Sequence, residues 1–152
     1  MTDTCEAIKW FYRIIVLRIK DGDLNGFPAM AVYVWSKDDK VRDEVLRCYK
    51  DVYFNEQQQP ENTALGLIML VKGCTVAEAN SIGKLVELIG IPEPAREQIW
   101  RYALGRNEKT LPDNMRAAAI LIIAMLAKVY LCRTSTGCWL KSLAHKLRLD
   151  QS

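Results

Sequence analysis

The stretch VWSKDDKVRDEVLRCYKDVYF, from Val34 to Phe54, decides how this chain is expected to fold. From Asp39 onward its apolar residues recur at three- and four-residue spacing, which predicts one buried face of an α-helix. The members of that face are Val41, Val45, Cys48, Tyr49 and Val52. Ser36 and Asp38 stand just before this pattern and can cap the helix. The stretch is therefore predicted to be an amphipathic helix.

The charged face of this helix consists of acids and bases that can neutralise each other. The expected pairs at four-residue spacing are Lys40–Glu44, Asp43–Arg47 and Arg47–Asp51. Arg42 differs, because it falls at the edge of the apolar face, where its guanidinium can reach a carboxylate or carbonyl on an adjacent helix pair. We interpret the stretch as a packing element rather than a reactive site.

The same helical spacing of apolar residues continues along the chain, and no segment alternates as a strand does. Helices are predicted over Thr4–Lys20, Pro28 (or Leu24) to Trp35, Asp39–Phe54, Glu61–Lys72, Thr75–Ile89, Pro92–Gly105, Asp113–Leu131 and, more weakly, Ser135–Leu149. Gly73 is a predicted C-cap, and Thr75 with Glu78 is a predicted capping box. The fold class is therefore predicted to be all-α, with seven to eight helices.

A weak internal repeat supports a more specific arrangement. Val41, Val76 and Met115 begin similar segments that are 35 and 39 residues apart, close to the period of paired-helix repeats. We predict an α-solenoid of paired antiparallel helices, HEAT- or armadillo-like, over residues 1–131. Residues 132–152 are predicted to be a basic, divergent tail. A compact helical bundle is the alternative.

Composition favours an intracellular protein. The net charge is only +3 over 152 residues, too small to indicate nucleic-acid binding by itself. Five scattered cysteines do not form a disulfide framework, and the N-terminus lacks the features of a secretory signal. The longest apolar run, Ala117–Ala127, is shorter than the roughly 20 residues of a membrane span. We therefore expect a soluble protein without a membrane partner.

No set of residues predicts catalysis, a cofactor or a metal. His145 is the only histidine, so a cysteine–histidine pair would have to use it. Cys132, Cys138 and His145 could provide three zinc ligands, but their spacing is unlike a zinc finger and a fourth ligand is missing. The Gly83-Lys84 step lacks the other residues of a phosphate loop. The chain is predicted not to be an enzyme.

The segment around Trp35 resembles a known family. The block Trp35-Ser36-Lys37-Asp38, then Val41-Arg42 and Glu44, then Tyr53-Phe54, is similar to a segment in the HEAT-repeat subunits of condensin. The segments AIKWFYRIIV upstream, and TVAEANSIGKLVELIG, IWRYAL and NMRAAAILIIAMLA downstream, resemble its neighbouring helices. The resemblance covers about Ala7 to Ala127, and the block that begins at Trp35 is its specific part.

The resemblance implies a non-catalytic binding module of condensin in mitotic chromosome condensation. Such a module would contact the kleisin subunit, the SMC ATPase heads and the DNA backbone, in the nucleus and on chromosomes with a cytoplasmic pool. The alternative is a generic HEAT scaffold of another intracellular assembly. The basic candidates for partner or DNA contact are Lys37, Lys40, Arg47, Lys50, Lys141, Lys146 and Arg148. Candidates for packing between repeats are Trp35, Asp39, Arg42, Tyr49, Trp100 and Arg116.

The last long helix raises a question of solubility. Residues 117–127 are apolar all round, which suits a helix that is covered on both sides. A terminal repeat needs a polar outer face to stay soluble. We therefore predict that Ser135–Leu149 covers this helix or that the chain self-associates through it.

Overall fold

The computed structural model describes residues 2–20, 28–55, 57–133, 145 and 148. Over these residues the protein is all-helical, as predicted, and its arrangement is compatible with a solenoid of about seven helices. The elements are α1 (Thr2–Lys20), a 3₁₀ helix (Pro28–Trp35), α2 (Asp39–Tyr53), α3 (Pro60–Lys72), α4 (Val76–Ile89), α5 (Glu93–Leu104) and α6 (Asp113–Arg133). The helix predicted over Ser135–Leu149 lies outside the described residues, apart from positions 145 and 148.

Local capping explains where two of these helices begin. The Asp38 carboxylate accepts a hydrogen bond from the Lys40 amide at 2.9 Å, so α2 starts at the predicted place. At α4, the Thr75 hydroxyl accepts from the Glu78 amide at 3.3 Å, and the Glu78 carboxylate accepts from the Thr75 amide at 2.7 Å. The predicted capping box is thereby confirmed. Helix α6 begins at Asp113 itself, one residue earlier than if Asp113 were only its N-cap.

The second helix is a 3₁₀ helix, which the apolar spacing did not distinguish from an α-helix. A 3₁₀ helix has three residues per turn, so residues three apart lie on the same face. Ala31 and Val34 are accordingly buried, whereas Val32 and Trp35 are exposed. This three-residue period directs Trp35 away from the core.

Helix α6 joins the two parts of the bundle, of which one consists of α3 and α5 and the other of α4, the 3₁₀ helix, α2 and α1. It packs against α3 and α5, and it also contacts α4. The 3₁₀ helix packs between α2 and α4, while α1 lies mainly on α2. Helices α3 and α4 follow each other after a short turn but make almost no contact. The middle of the chain therefore departs from regular hairpin pairing, because α3 packs with α5 and α6 while α4 packs on the 3₁₀ helix.

Two glycines follow the ends of helices α5 and α3 in different backbone conformations. Gly105 ends α5 with a left-handed backbone, φ +70°, as a glycine C-cap requires. Gly73 follows α3 at φ −107°, so its position matches the predicted C-cap but its conformation is open to any residue. A Cβ at Gly105 would also lie 3.5 Å from the Arg116 guanidinium, whereas one at Gly73 would meet nothing within 4 Å.

We predict that Gly105→Ala lowers the free energy of unfolding by about 1 kcal/mol, because alanine is strained in the left-handed conformation. Gly73→Ala is the matched control and should leave stability unchanged or slightly raised. Chemical denaturation followed by circular dichroism measures both. An equal loss in the two variants would contradict the difference in backbone conformation.

Candidate functional site

A groove of about 430 Å³ lies between α4 and α6, beside the end of the 3₁₀ helix. Its lining residues are Trp35, Ala79, Asn80, Gly83, Lys84, Glu87, Leu121, Met125, Lys128 and Val129. Six of these ten are apolar or glycine, and the charged ones belong to both helices. The groove therefore combines an apolar surface with charged groups from its two walls.

Trp35 is held in a defined position at this groove. Its indole Nε1 donates a hydrogen bond to the Ser81 hydroxyl at 3.1 Å. That hydroxyl in turn donates to the Ala77 carbonyl at 3.0 Å, within α4. Since 55% of Trp35 remains exposed, the side chain is fixed on one edge and open to solvent elsewhere.

Lysine and glutamate side chains set the charge of the groove. Lys84 Nζ lies 3.2 Å from both carboxylate oxygens of Glu87 and 5.9 Å from the centroid of the Trp35 ring. This lysine is therefore largely neutralised and lies close enough to the indole for a cation–π contact. Lys128, on the opposite wall, is exposed and forms no ion pair within the described chain. The positive charge of the groove is concentrated at Lys128.

Three tryptophans lie in the described part of the chain, and they differ in exposure. Trp10 is 63% exposed, because α1 packs mainly on α2 and its far face meets solvent. Trp35 contacts α4 but is more than half exposed, owing to the 3₁₀ geometry. Trp100 is partly buried, and its indole N–H has no hydrogen-bond partner among the described residues.

The residues predicted to link successive repeats fall into two groups. Asp39 and Arg42 pair with each other at 2.6 Å in the first turn of α2, so they do not bridge to another helix. Residues three apart are neighbours on a helix surface, so the pair forms within α2. Arg116, by contrast, reaches from α6 to the Ala103 carbonyl of α5 at 3.5 Å.

Tyr49 lies in the core, as its place on the apolar face of α2 indicated. Its ring stacks against Tyr53 with the centroids 5.6 Å apart. Burial raises the pKa of the Tyr49 hydroxyl above its ordinary value. The side chain is thus held as a neutral aromatic group between α2 and its neighbours.

The basic candidates for partner or DNA contact are not gathered at one site. Lys37, Lys40 and Lys50 are exposed and form no ion pair within the described residues. Arg148 is exposed, and Lys141 and Lys146 lie outside the part of the chain that the structure describes. Of these, Lys37 and Lys40 are free cations near the start of α2, and Lys50 is one in its last turn.

Arg47 is engaged by its own helix and by α1. Its guanidinium lies 2.6 Å from the Glu44 carboxylate, 3.2 Å from Asp51 and 5.2 Å from the centre of the Tyr12 ring. The hydrogen bond from Arg47 lowers the pKa of Glu44. The predicted ion pair of Arg47 with Asp51 is confirmed. The predicted pairs Arg47–Asp43 and Lys40–Glu44 are wrong, because Arg47 pairs with Glu44 instead. These contacts occupy the guanidinium.

We predict that Glu44→Gln lowers the free energy of unfolding by about 0.5 kcal/mol near neutral pH, the range of a partly exposed ion pair. Because the folded pKa of Glu44 is lowered, this contribution is present above about pH 4, the ordinary range of glutamate, and is lost as the pH falls through the folded pKa. Denaturation at several pH values measures it.

The matched control for this pair is Asp43→Asn, at the neighbouring exposed acid that forms no ion pair in the described chain. Its stability should differ little from that of the parent protein at any pH. If Asp43→Asn reproduced the pH-dependent loss, the assignment of Arg47 to Glu44 would be incorrect.

The described cysteines do not form a reactive centre. Cys5, Cys48 and Cys74 are free thiols, and burial raises the pKa of Cys48 to about 11. No group of three histidine, cysteine or acidic side chains that could hold a metal occurs among the described residues. Among the three possible zinc ligands, His145 is exposed, and Cys138 and the side chain of Cys132 lie outside the described residues.

Helix α6 is longer and more apolar than the run from Ala117 to Ala127 suggested. Its segment Asp113–Leu131 is long and apolar enough to cross a membrane, by length and composition only, and 22% of it is buried inside the protein. However, Ala118, Ala119 and Ile122 are buried against the bundle. Crossing a membrane would require α6 to leave these contacts.

Sequence reasoning missed the α4 side of the groove. In the sequence, Gly83 and Lys84 point only to an incomplete phosphate loop and to no binding surface. A Cβ at Gly83 would meet Met125 Cγ at 3.7 Å, an ordinary van der Waals contact, so glycine leaves space in the groove without being required by close packing. A small residue at the centre of an amphipathic helix was the available signal, but the facing wall on α6 could not be inferred from it.

No protein-family model matches this chain, and no curated protein or solved structure is similar to it. The described residues define the molecule by their own structure, which is all-helical and has a half-exposed tryptophan at a mainly apolar groove.

Proposed function

We propose that this chain is a non-catalytic helical binding module whose groove beside Trp35 holds a segment of a protein partner. The observation that carries the proposal is the position of Trp35, which is fixed by Ser81 yet 55% exposed. A rigid aromatic side chain that can still lose water on binding is typical of the residues that dominate binding energy at protein interfaces.

The shape of the groove favours a helical or extended peptide. Its walls are two α-helices, α4 and α6, and its apolar members include Leu121 and Met125. An amphipathic helix binds in such a groove through its apolar face. Lys128 at the rim would favour an acidic residue beside the apolar anchors of the partner. We therefore infer an amphipathic, locally acidic segment as the ligand.

The absence of catalysis is part of the proposal and rests on chemistry. The buried Cys48 thiol, with its raised pKa, is a poor nucleophile at neutral pH. The groove contributes the Lys84–Glu87 pair and Asn80, which can orient a ligand but provide no nucleophile with an adjacent base. A binding role accounts for these residues without a reaction.

Condensin is the specific assembly that we propose, and the proposal rests on the resemblance of the block from Trp35 to Phe54. In the structure the Ser36 hydroxyl accepts from the Asp38 amide at 3.2 Å, and Asp38 caps α2. These are roles in a turn between helices that any helical scaffold could use. These two contacts therefore do not separate condensin from the second candidate, a scaffold of another intracellular assembly, and of the residues from Trp35 to Asp38 only Trp35 and Lys37 are left to distinguish them.

Contact with DNA is a further element of the condensin proposal. Lys37, Lys40 and Lys50 are exposed cations without ion pairs in the described chain, so they are free to approach phosphates. Binding of this kind is independent of base sequence and weakens as salt rises. Arg47 would contribute less, since Glu44 and Asp51 already neutralise it.

We predict that Trp35→Ala reduces partner recovery by about tenfold or more, the range of a tryptophan hot spot. The tagged chain is incubated with mitotic nuclear extract at low and high salt, and bound proteins are identified by mass spectrometry. Trp10→Ala is the matched control, because Trp10 is at least as exposed, at 63%, but lies on α1 and does not line the groove. Its recovery should equal that of the parent chain.

The outcomes separate the two candidates. Recovery of kleisin and SMC ATPase subunits that depends on Trp35 supports the condensin module. Recovery of other proteins with the same dependence supports a scaffold of another assembly. If Trp35→Ala and Trp10→Ala behave alike while both retain helical circular dichroism, the groove is not the binding site.

A further inference from the structure

One face of α6 is exposed although it is mainly apolar. Ala117, Ile120, Leu121, Ala124 and Leu131 lie on this face, and Ile120 is 56% exposed. At 100° per residue, Asp113 and Lys128 fall on the same face, near its two ends. We call these seven residues the α6 stripe. The opposite face of α6 is covered by α3, α5 and α4.

The spacing of the α6 stripe fits another α-helix. Ala117, Leu121, Ala124, Lys128 and Leu131 follow one another at alternating steps of four and three residues, the spacing of a helix–helix seam. Alanine at two of these positions allows a second helix backbone to approach closely, while Ile120 and Leu121 supply larger apolar groups at the centre. The stripe is therefore shaped for a helix rather than for a flat or irregular surface.

We infer that a second copy of this chain packs its α6 against the α6 stripe in antiparallel orientation, with a twofold axis between Ile120 and Leu121. In this register Ile120 lies opposite Leu121 of the other copy, and Ala117 lies opposite Ala124. Asp113 then lies opposite Lys128. Each of these pairs occurs twice, as a closed symmetric dimer requires.

Charge complementarity is the reason to choose a second copy. Asp113 and Lys128 are exposed and form no ion pair among the described residues. They lie an equal number of residues from the proposed axis, so a single antiparallel register joins both at once. Antiparallel helices also bring opposite ends of their dipoles together, which favours the same orientation.

A lipid bilayer fits this surface less well. Insertion of α6 would place both Asp113 and Lys128 in or near the hydrocarbon, at a cost that a dimer avoids. It would also remove Ala119 and Ile122 from the bundle, where both are buried. The dimer covers the exposed face of α6 and leaves its packed face in place.

The inferred dimer and the proposed partner segment overlap on α6, but different residues test them. The α6 stripe shares Leu121 and Lys128 with the groove, whereas Trp35 and the α4 wall do not belong to it. Loss of partner recovery in Trp35→Ala would therefore leave the dimer unaffected. The two proposals can fail separately.

The first test is the mass of the full-length chain in solution, measured by sedimentation equilibrium over a range of concentrations. We expect a monomer–dimer equilibrium. Ala124→Arg should raise the dissociation constant by roughly tenfold or more, because a bulky cation at the seam forces the helices apart. Ala7→Arg, an exposed alanine on α1, is the matched control and should leave the dissociation constant unchanged.

The second test exchanges the charges. Asp113→Lys and Lys128→Asp should each raise the dissociation constant about fivefold, since each removes two exposed ion pairs per dimer. The double variant should restore the parent value, which only an antiparallel intermolecular pairing explains. Circular dichroism of each variant confirms that the helices remain folded.

Three results would overturn the inference. The first is a chain that stays monomeric at every concentration. This result overturns the dimer regardless of what else covers α6, be it another part of the chain or a different partner. The second is a double variant that dimerises no better than either single variant. The third is a chain that remains monomeric in solution but sediments with vesicles of neutral and anionic phospholipid, which would assign the α6 stripe to a membrane.

Discussion

The contact of α6 with α3 and α5 is the interaction on which the rest of the structure depends. Consecutive helices α3 and α4 barely touch, so the turn between them does not hold the two parts of the bundle together. Helix α6 does so by burying Ala118, Ala119, Ile122 and Met125 while it contacts α3, α5 and α4. Because α6 is shared in this way, its inner face fixes the groove and its outer face is left uncovered.

The groove depends on a second constraint, the three-residue period of the 3₁₀ helix. Ala31 and Val34 bury one side of that short helix against α2 and α4, which leaves Trp35 on another side, beside Ser81. If the same residues formed an α-helix, with 3.6 residues per turn instead of three, different side chains would face the solvent. The candidate binding site therefore follows from a local choice of helix type combined with the packing of α4 against α6.

Much of the fold could be predicted from sequence, because helix period and capping are local properties. Asp38, Thr75 with Glu78, and Gly105 each marked a helix end through a mechanism that acts within a few residues. The pairing of helices could not be predicted, since the same apolar faces permit α4 to pack on α3 or on the 3₁₀ helix. The acid with which a given base pairs could not be predicted either. Arg47 pairs with Glu44 and not with Asp43, and this depends on how α1 packs on α2, where Arg47 also lies over the Tyr12 ring.

The 3₁₀ helix also limits how this chain can change in length. Each residue of such a helix turns the next by about 120°. One residue added or removed between Pro28 and Trp35 would turn the indole from the groove toward the core or toward open solvent, even if every remaining side chain were kept. Exchanges of one exposed residue for another, as at Val32 or Tyr33, leave the register intact. The number of residues in this segment is therefore under tighter constraint than their identity.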